Sequence, residues 1–452
     1  MLHRYIQGGY YIVMDVNSGA IHLMDALGYD MAGLLSAPLT EKCPQDLLDR
    51  FSGDYSEQEI IETYTELFAL FQAGELLSED DYEKYESLTA LSPVKAMCLH
   101  IAHDCNMRCE YCFASTGDYQ GGRKLMSAEV GKKAIDYLLH HSQGRRNLEL
   151  DFFGGEPLMN FNVVKEIVDY ARSKEKEYNK IFRFTITTNG LLLTNDKIDF
   201  INREMSNVVL SLDGRPNVND RVRKRVDGSS CYDTIVPKFQ KMVAARGDKP
   251  YYIRGTFTKY NLDFAQDVVY LSELGFDQIS VEPVVAEDHM PYAITARDLP
   301  TIYAEYDKLA EEIIKRENGE RKWFNFFHFM IDLEQGPCAI KRLRGCGCGN
   351  EYVAVTPDGE VYPCHQFVGH EEWKMGSVFA GTIDTKMKER FAHATVYGKE
   401  DCRSCWAKFY CSGGCNANGM IYNGDILKPH KMSCETEKKR IECALYIKAA
   451  TL

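Results

Sequence analysis

The chain reads as an α/β protein: a partial (β/α)6 barrel preceded by a small winged-helix-like segment and followed by a cysteine-rich one. Three observations predict this. Short apolar runs alternate with helix-length stretches from Ala96 to about Pro300. A hairpin signal and three helical patterns precede them, and ten of the 16 cysteines crowd between Cys338 and Cys443. With 452 residues, 45% of them hydrophobic, the chain has room for about three domains with cores of their own.

In chain order, Tyr10 to Val16 and Ala20 to Met24 form apolar strands around Asn17-Ser18-Gly19, which is hairpin punctuation. Helices are predicted over Asp25 to Leu35, Gln45 to Phe51 and Ser56 to Ala73. The last carries Ile60, Ile61, Tyr64, Leu67, Phe68 and Phe71 on one face and starts with a capping pair, Ser56 and Glu59. Gly74 ends it, and the polar stretch Ser78 to Glu86 reads as a linker. Up to position 80 the only Lys or Arg residues are Arg4, Lys42 and Arg50, so DNA is an improbable ligand for this segment. A net charge of -13 argues against sequence-independent nucleic-acid binding by the whole chain. Barrel strands are predicted at Met97–Ala102, Leu148–Phe153, Phe182–Thr188, Val208–Leu212, Tyr251–Thr258 and Gln278–Val284. Each motif described next sits at the C-terminal end of such a strand, where βα loops build sites. A helix over Thr301 to Arg316 follows, then a cysteine-rich region without long periodic elements. The chain has neither a signal-like start nor an apolar run of membrane-spanning length, so a cytoplasmic protein with no membrane partner is expected. In that compartment grouped cysteines are metal ligands more often than disulfides.

Cys105, Cys109 and Cys112 form a C-x3-C-x2-C loop with three thiols and no fourth. Structural zinc wants four ligands, whereas a [4Fe-4S] cube on three cysteines leaves one iron open to a small molecule. The plain alternative is three core cysteines. Downstream strands end in Gly154-Gly155-Glu156-Pro157, in Thr187-Thr188-Asn189-Gly190 and in Ser211-Leu212-Asp213-Gly214, with Arg223 beyond. Glycines permit close backbone approach, a carboxylate accepts from a ligand ammonium, and a guanidinium pairs a carboxylate. Taken singly, the hydroxyl and amide side chains could equally be turn or capping residues. Further on, Cys402-x2-Cys405-x5-Cys411-x3-Cys415 and Cys434 follow Gly359-x4-Cys364, with Cys338, Cys346 and Cys348 upstream. Two zinc knuckles are the alternative for this field.

The three-cysteine loop with its three downstream motifs resembles radical S-adenosylmethionine (SAM) enzymes, and the C-terminal field resembles their SPASM extension. The resemblance implies a cluster on Cys105, Cys109 and Cys112 whose fourth iron chelates SAM. SAM is then cleaved to a 5'-deoxyadenosyl radical that abstracts hydrogen from an unactivated C-H bond. It implies SAM contacts from Tyr111, Gly154, Gly155, Glu156, Pro157, Thr188, Asn189, Ser211, Asp213 and Arg223, with Glu156 on the amino group and Arg223 on the carboxylate. Two auxiliary [4Fe-4S] clusters bring the total to three. Cys402, Cys405, Cys411 and Cys434 would hold the distal one. Cys346, Cys364 and Cys415 would hold the proximal one, its fourth position filled by Cys338 or Cys348 or left open.

The first segment is similar to the RiPP recognition element, which binds the leader of a ribosomally made precursor by adding it as a strand to a sheet edge. The implied domains are 1–85 for leader binding, 86–320 for the radical SAM barrel and 321–452 for SPASM. Gly345-Cys346-Gly347-Cys348-Gly349 and the run from Val355 to Gly369 resemble maturases of SCIFF peptides, which form sactionine-type thioethers between cysteine sulfur and a carbon of another residue. The implied partners are a cysteine-rich precursor peptide and an electron donor such as flavodoxin or ferredoxin. One rival is an anaerobic sulfatase-maturating enzyme, which oxidises Cys or Ser to formylglycine. Those relatives carry an Asp general base directly after the GxxxxC cysteine, where this chain has His365. Other SPASM peptide-modifying enzymes remain, as does a non-enzymatic leader-binding or electron-transfer protein. Intact Cys105, Cys109, Cys112 and Glu156 speak against that last reading.

Overall fold

The computed structural model describes residues 1–89, 91–333 and 338–452. Gly8 and Gly9, both at positive φ, turn β1 (Leu2–Gln7) back against β2 (Tyr10–Asp15), and Asn17-Ser18-Gly19 turns β2 into β3 (Ile21–Met24). The sequence predicts only the second of these hairpins. In β1 the residues from His3 to Gln7 mix polar and apolar types without alternation, so periodicity does not mark it. The three expected helices form as α1 (Ala26–Ala32), α2 (Gln45–Phe51) and α3 (Glu57–Gln72). Ser56 and Glu59 make the reciprocal cap on α3. Ile60, Tyr64 and Leu67 of α3 close a small core over Val13, Leu27 and Met31.

The stretch expected to be a polar linker is instead a clasp. Ser78 donates to Asp15 through both its amide (2.8 Å) and its hydroxyl (2.7 Å). Asp80 accepts from Lys408 Nζ (2.6 Å) and from the Tyr397 hydroxyl, tying the first segment to the last.

Four of the six strands of the central sheet follow a two-residue period, and Ala96–His103 is buried throughout. Strands β4 (Ala96–His103), β5 (Asn147–Gly154), β6 (Ile181–Thr188), β7 (Asn207–Ser211), β8 (Tyr251–Phe257) and β9 (Gln278–Pro283) lie side by side in chain order, every neighbouring pair parallel. All six fall within one residue of the predicted ends. The connections carry α4 (Ala128–His141), α5 (Phe161–Tyr178), α6 (Asn195–Glu204), α7 (Tyr232–Arg246) and α8 (Phe264–Glu273), and α9 (Leu299–Glu317) follows β9. On β5, Leu148, Leu150 and Phe152 are fully buried in the main core, while Asp151 and Phe153 alternate with them on the opposite face. On β8, Ile253 and Phe257 join that core and Arg254 and Thr256 face the other way. One face of the sheet is therefore dry, and the other is free to carry polar chemistry.

The sheet continues past both barrel edges. Asn325–Phe326 adds to β9, and β10 (Tyr352–Val355) runs parallel to β4 in the register Tyr352↔Ala96 to Val355↔Leu99 before turning into β11 (Glu360–Tyr362). The cysteine-rich segment thus shares the barrel's hydrogen-bond ladder. It also ends in a long helix, α10 (Lys431–Ala450), which packs on α9 and of which the sequence shows only a helical stretch around Cys443, without bounds. From Ile441 to Ile447 nearly every side chain of α10 is buried, so no single apolar stripe announces it. Cys443, placed on a helical stretch by the sequence, is a fully buried core thiol there. Among the described residues no helix is long and apolar enough to cross a membrane.

Phe184 is fully buried between the rings of Phe152 (5.8 Å) and Phe182 (6.0 Å). Phe184→Ala is expected to cost about 3–5 kcal/mol of stability, read as a lower urea midpoint with unchanged slope. A loss below about 1 kcal/mol would place this aromatic layer outside the cooperative core.

Candidate active site

The three-cysteine loop leaves the C-terminal end of β4 and is fixed on two sides. Met107–Cys109 forms a short strand antiparallel to Arg223–Arg225, with Cys109 opposite Arg223. On the other side the end of β5 presses against the loop: the Gly155 amide donates to Ala102 O (2.7 Å) and the Glu156 amide to Asp104 O (2.9 Å). A β-carbon on Gly155 would lie 2.1 Å from the Asp104 carbonyl oxygen, and one on Gly154 would lie 2.3 Å from that of Ala102. The paired glycines are therefore a condition of contact between strand end and loop.

This contact frames a cavity of about 400 Å³. Cys105, Cys109, Tyr111, Cys112, Gly154, Gly155, Glu156, Thr188, Asn189, Ser211 and Arg223 all line it. Pro157 and Asp213 do not. Pro157 is buried at the start of the turn after Glu156. Asp213 lies behind the wall, where it accepts from the Tyr111 hydroxyl (2.7 Å) and the Thr256 amide (3.1 Å), while Tyr111 accepts from Arg223 Nη1 (3.0 Å). Asp213 thus orients two wall residues. The cavity also takes in Arg254, Thr256 and Glu282 from β8 and β9, and His365 and Cys415 from the C-terminal segment. Arg254 and Glu282 were not singled out in the sequence, although a charged residue near the C-terminal end of an apolar strand is a readable sign.

Two wall groups have unused bonding capacity. Glu156, 1% exposed, accepts from the Leu158 amide (3.0 Å), the Thr188 hydroxyl (2.7 Å) and the Asn189 amide (2.8 Å). A carboxylate has about four acceptor sites, so one remains. Burial raises its pKa, and a ligand cation would offset that cost. Arg223, 6% exposed, has a buried Nε with no partner. Arg223 Nη1 already lies 3.9 Å from Asp213, so the spare capacity is one acceptor site on Glu156 and one N–H on Arg223, which suit the ammonium and carboxylate of an α-amino acid. Deeper along the wall Arg254 pairs with Glu282 (3.0 Å). Burial works to raise the Glu282 carboxyl, but Arg254 and His328 outweigh it and hold it down at about 2. Burial lowers the His365 imidazole to about 4, and its ring sits 5.2 Å from that of Phe113 and 5.3 Å from that of Phe153.

The thiols fit iron better than a lone ion. Burial pushes Cys105 and Cys109 up to about 12, so a metal cation must displace their protons at neutral pH. Cys105 Sγ accepts from the Met107 amide (3.4 Å) and Asn189 Nδ2 (3.6 Å), donors suited to a sulfur bearing negative charge. Three thiols on one loop without a fourth suit a [4Fe-4S] cube better than structural zinc, which wants four protein ligands. In the C-terminal field the Cys348 thiol donates to the Cys364 sulfur and lies within electrostatic reach of Cys346 and Cys415. Cys338 is exposed at the start of a short helix, Ala339–Arg344. Of the two candidates for the fourth proximal position, the fold brings Cys348 to that group.

Residues 95–235 match a 4Fe-4S single cluster domain and residues 346–406 match the SPASM iron-sulfur cluster-binding domain. These two domain types are the ones combined in the radical SAM/SPASM enzymes that the sequence resembles. The chain's cofactors are SAM and multiple [4Fe-4S] clusters. It is 23% identical over 355 residues to the cysteine-type anaerobic sulfatase-maturating enzyme of Clostridium perfringens, covering 72% of this chain and 89% of that enzyme. Among solved structures, anSMEcpe with bound AdoMet matches at a TM-score of 0.64 and 19% identity over 78% of this chain and 97% of its own. Streptococcus suis SuiB bound to precursor peptide SuiA matches at 0.53 and 16% identity over 96% of this chain and all of its own. The radical SAM/SPASM fold, a mixed α/β architecture on a central parallel sheet, is thus common to all three.

Gly155→Ala tests the fit of strand to loop in this radical SAM protein. The added methyl group collides with the Asp104 carbonyl, so the variant is expected to fold, to keep its auxiliary iron and to make 5'-deoxyadenosine at least about tenfold more slowly. Wild-type cleavage by Gly155→Ala would show that the loop tolerates displacement.

Proposed function

We propose that this enzyme matures a ribosomally synthesised, cysteine-rich precursor peptide by forming thioether crosslinks between cysteine sulfur and carbon. One observation carries the proposal: a single cavity is lined both by Cys105, Cys109 and Cys112 and by Cys415 of the C-terminal cysteine field. A peptide entering it would lie between two iron-sulfur sites. SAM and its cluster, when bound, supply the carbon radical chemistry. The chain's own residues do the rest. Glu156 takes the SAM ammonium and Arg223 its carboxylate, and Asp213 holds Tyr111 and Arg223 in place. Thr188, Asn189 and Ser211 offer hydrogen bonds to the remainder of the cofactor, and Gly154, Gly155 and Pro157 set the backbone. Cys402, Cys405, Cys411 and Cys434 hold the distal auxiliary cluster. Cys346, Cys364 and Cys415 hold the proximal one, with Cys348 completing the set. Each crosslink breaks one C-H and one S-H bond and makes one C-S bond. The hydrogen atom leaves with 5'-deoxyadenosine, the proton goes to solvent, and one electron goes to an acceptor.

Residues 1–85 are proposed as the leader-binding module, 86–320 as the SAM domain and 321–452 as the auxiliary-cluster domain. SuiB matches 96% of this chain and anSMEcpe 78%, a difference about the length of that first module. SuiB is solved bound to a precursor peptide, and anSMEcpe is solved with bound peptides as well. The three-stranded sheet also supports the reading, since β3 pairs only with β2 and leaves an edge for an added strand.

Reduced enzyme, SAM and the product of a small cysteine-rich reading frame beside the gene are expected to yield a peptide lighter by two hydrogens per crosslink, with thiols that resist alkylation. The sequence similarity to a sulfatase-maturating enzyme favours one second reading. On that reading the product would carry an aldehyde that captures hydrazine, with no linked residue pair. Deleting residues 1 to 80 is expected to weaken precursor binding at least about tenfold, while SAM cleavage without peptide falls far less. Equal leader affinity in both proteins would remove the module from recognition.

A further inference from the structure

Lys399 is the most deeply buried lysine in the C-terminal segment, at 1% exposure. Its Nζ donates to Gly413 O (2.6 Å) and Asn416 Oδ1 (2.7 Å), both neutral groups. Among the described residues no carboxylate pairs with it. Lys408, at 4% exposure, instead pairs with Asp80 (2.6 Å), and Lys388, at 9%, donates to the Ser92 carbonyl with no thiol set around it. An ammonium taken out of water without a counter-charge is costly, and buried charges are as a rule paired. The missing anion has to come from something the neighbourhood acquires.

That neighbourhood is thiol. The Lys399 carbonyl accepts from the Cys402 amide (3.0 Å), so the residue starts the turn that carries Cys402. Its side chain reaches the loop between Cys411 and Cys415, where Ser412, Gly413 and Gly414 all adopt positive φ and fold the chain around Nζ. Burial depresses the ammonium below the ordinary lysine value, while the thiols of Cys402, Cys411, Cys415 and Cys346 pull the other way. Two of these belong to the distal set and two to the proximal set. A cluster on four thiolates is a net anion, and its potential depends on net charge and surrounding groups.

Resting on the cluster reading above, we infer that Lys399 is the shared counter-cation of the two auxiliary centres, a positioning residue that favours their reduced forms. A fixed positive charge stabilises the more negative state, so each centre accepts an electron more readily with Lys399 than without it. An electron released by crosslink formation would meet a raised potential at both sites.

The test uses the full chain carrying Cys105→Ala, Cys109→Ala and Cys112→Ala, so that only auxiliary iron reports, with redox titration followed by electron paramagnetic resonance. Adding Lys399→Met is expected to leave the iron content unchanged and to lower the reduced-to-oxidised ratio about tenfold at a fixed poise. That equals about 59 mV for a one-electron couple. Lys399→Arg is expected to restore the parent values. Loss of auxiliary iron in Lys399→Met but not in Lys399→Arg would also support the cation, as a requirement for assembling two anions. Unshifted potentials in a loaded Lys399→Met protein, or an Arg variant as defective as the Met variant, would overturn the inference and leave a brace for the Cys411–Cys415 loop. A parent protein without auxiliary iron would overturn the cluster reading and the inference with it.

Discussion

The hydrogen-bond ladder on the two sides of β4 is the constraint on which the site depends. On one side β4 pairs with β5, whose end supplies Gly154, Gly155 and Glu156. On the other it pairs with β10, from a segment more than 250 residues later, and the β10–β11 hairpin delivers Cys364. The C-terminal end of β4 itself launches Cys105. A slip of one residue on either side would exchange the faces of the paired strand, sending Phe153 into the helix layer and Leu150 into the cavity. Joining such distant segments carries a loop-closure cost that grows only logarithmically with length, so the ladder and the apolar face beneath it can hold the arrangement. The cavity between the two candidate iron-sulfur regions is a product of strand register.

Polar residues on the open face are tolerable because they are meant to have partners. Glu156 has spare acceptor capacity, Arg223 Nε has no partner, Lys399 has no counter-ion, and burial keeps Cys105 and Cys109 protonated up to about 12. Each of these lowers the stability of the empty chain, and each is relieved by an anion, a zwitterion or iron. Binding to the folded state alone then adds stability by mass action. Local frustration concentrated where the cofactors sit is the expected signature of a site built around them.

Much of this was readable from residue order. The six strands stood out as short apolar runs between helix-length stretches, and the motifs stood out because glycine, carboxylate and thiol recur at strand ends. What escaped had physical reasons. β1 is half polar because its side chains bond outward: Tyr5 donates to Glu442 O (2.8 Å) and Gln7 to Asp307 (2.7 Å). Asp80 looked like a solvated linker charge because its partner, Lys408, lies 328 positions away. β10 is four residues long and pairs with a strand no local pattern could name. Asp213 has the residue type expected of a ligand contact, yet its bonds to Tyr111 and Thr256 place it one layer behind. The fourth proximal position was open in sequence between Cys338, Cys348 and no ligand because spacing admits each; the fold buries Cys348 near Cys364 and leaves Cys338 exposed.

The three segments are bound into one working unit chiefly through α10. Its Glu442 receives His3 (3.0 Å) and the Tyr5 hydroxyl from β1, and its Tyr446 ring sits over Gly8. Its Arg440 donates to the Tyr306 hydroxyl (2.8 Å) on α9, which anchors it to the barrel. Its first turn carries Cys434, and His3 stacks at 3.5 Å on Trp406, the neighbour of Cys405. A strain introduced at the N-terminal sheet therefore has a short, packed route to the distal thiols, whereas reaching the Cys105 loop requires crossing the barrel. Packed contacts transmit such strain because a close-packed interior has little room to absorb it. The side chains of β1 are already committed to α10, so the strand addition proposed for β3 would leave this tie intact and the N-terminal sheet's hold on the rest of the chain unloosened.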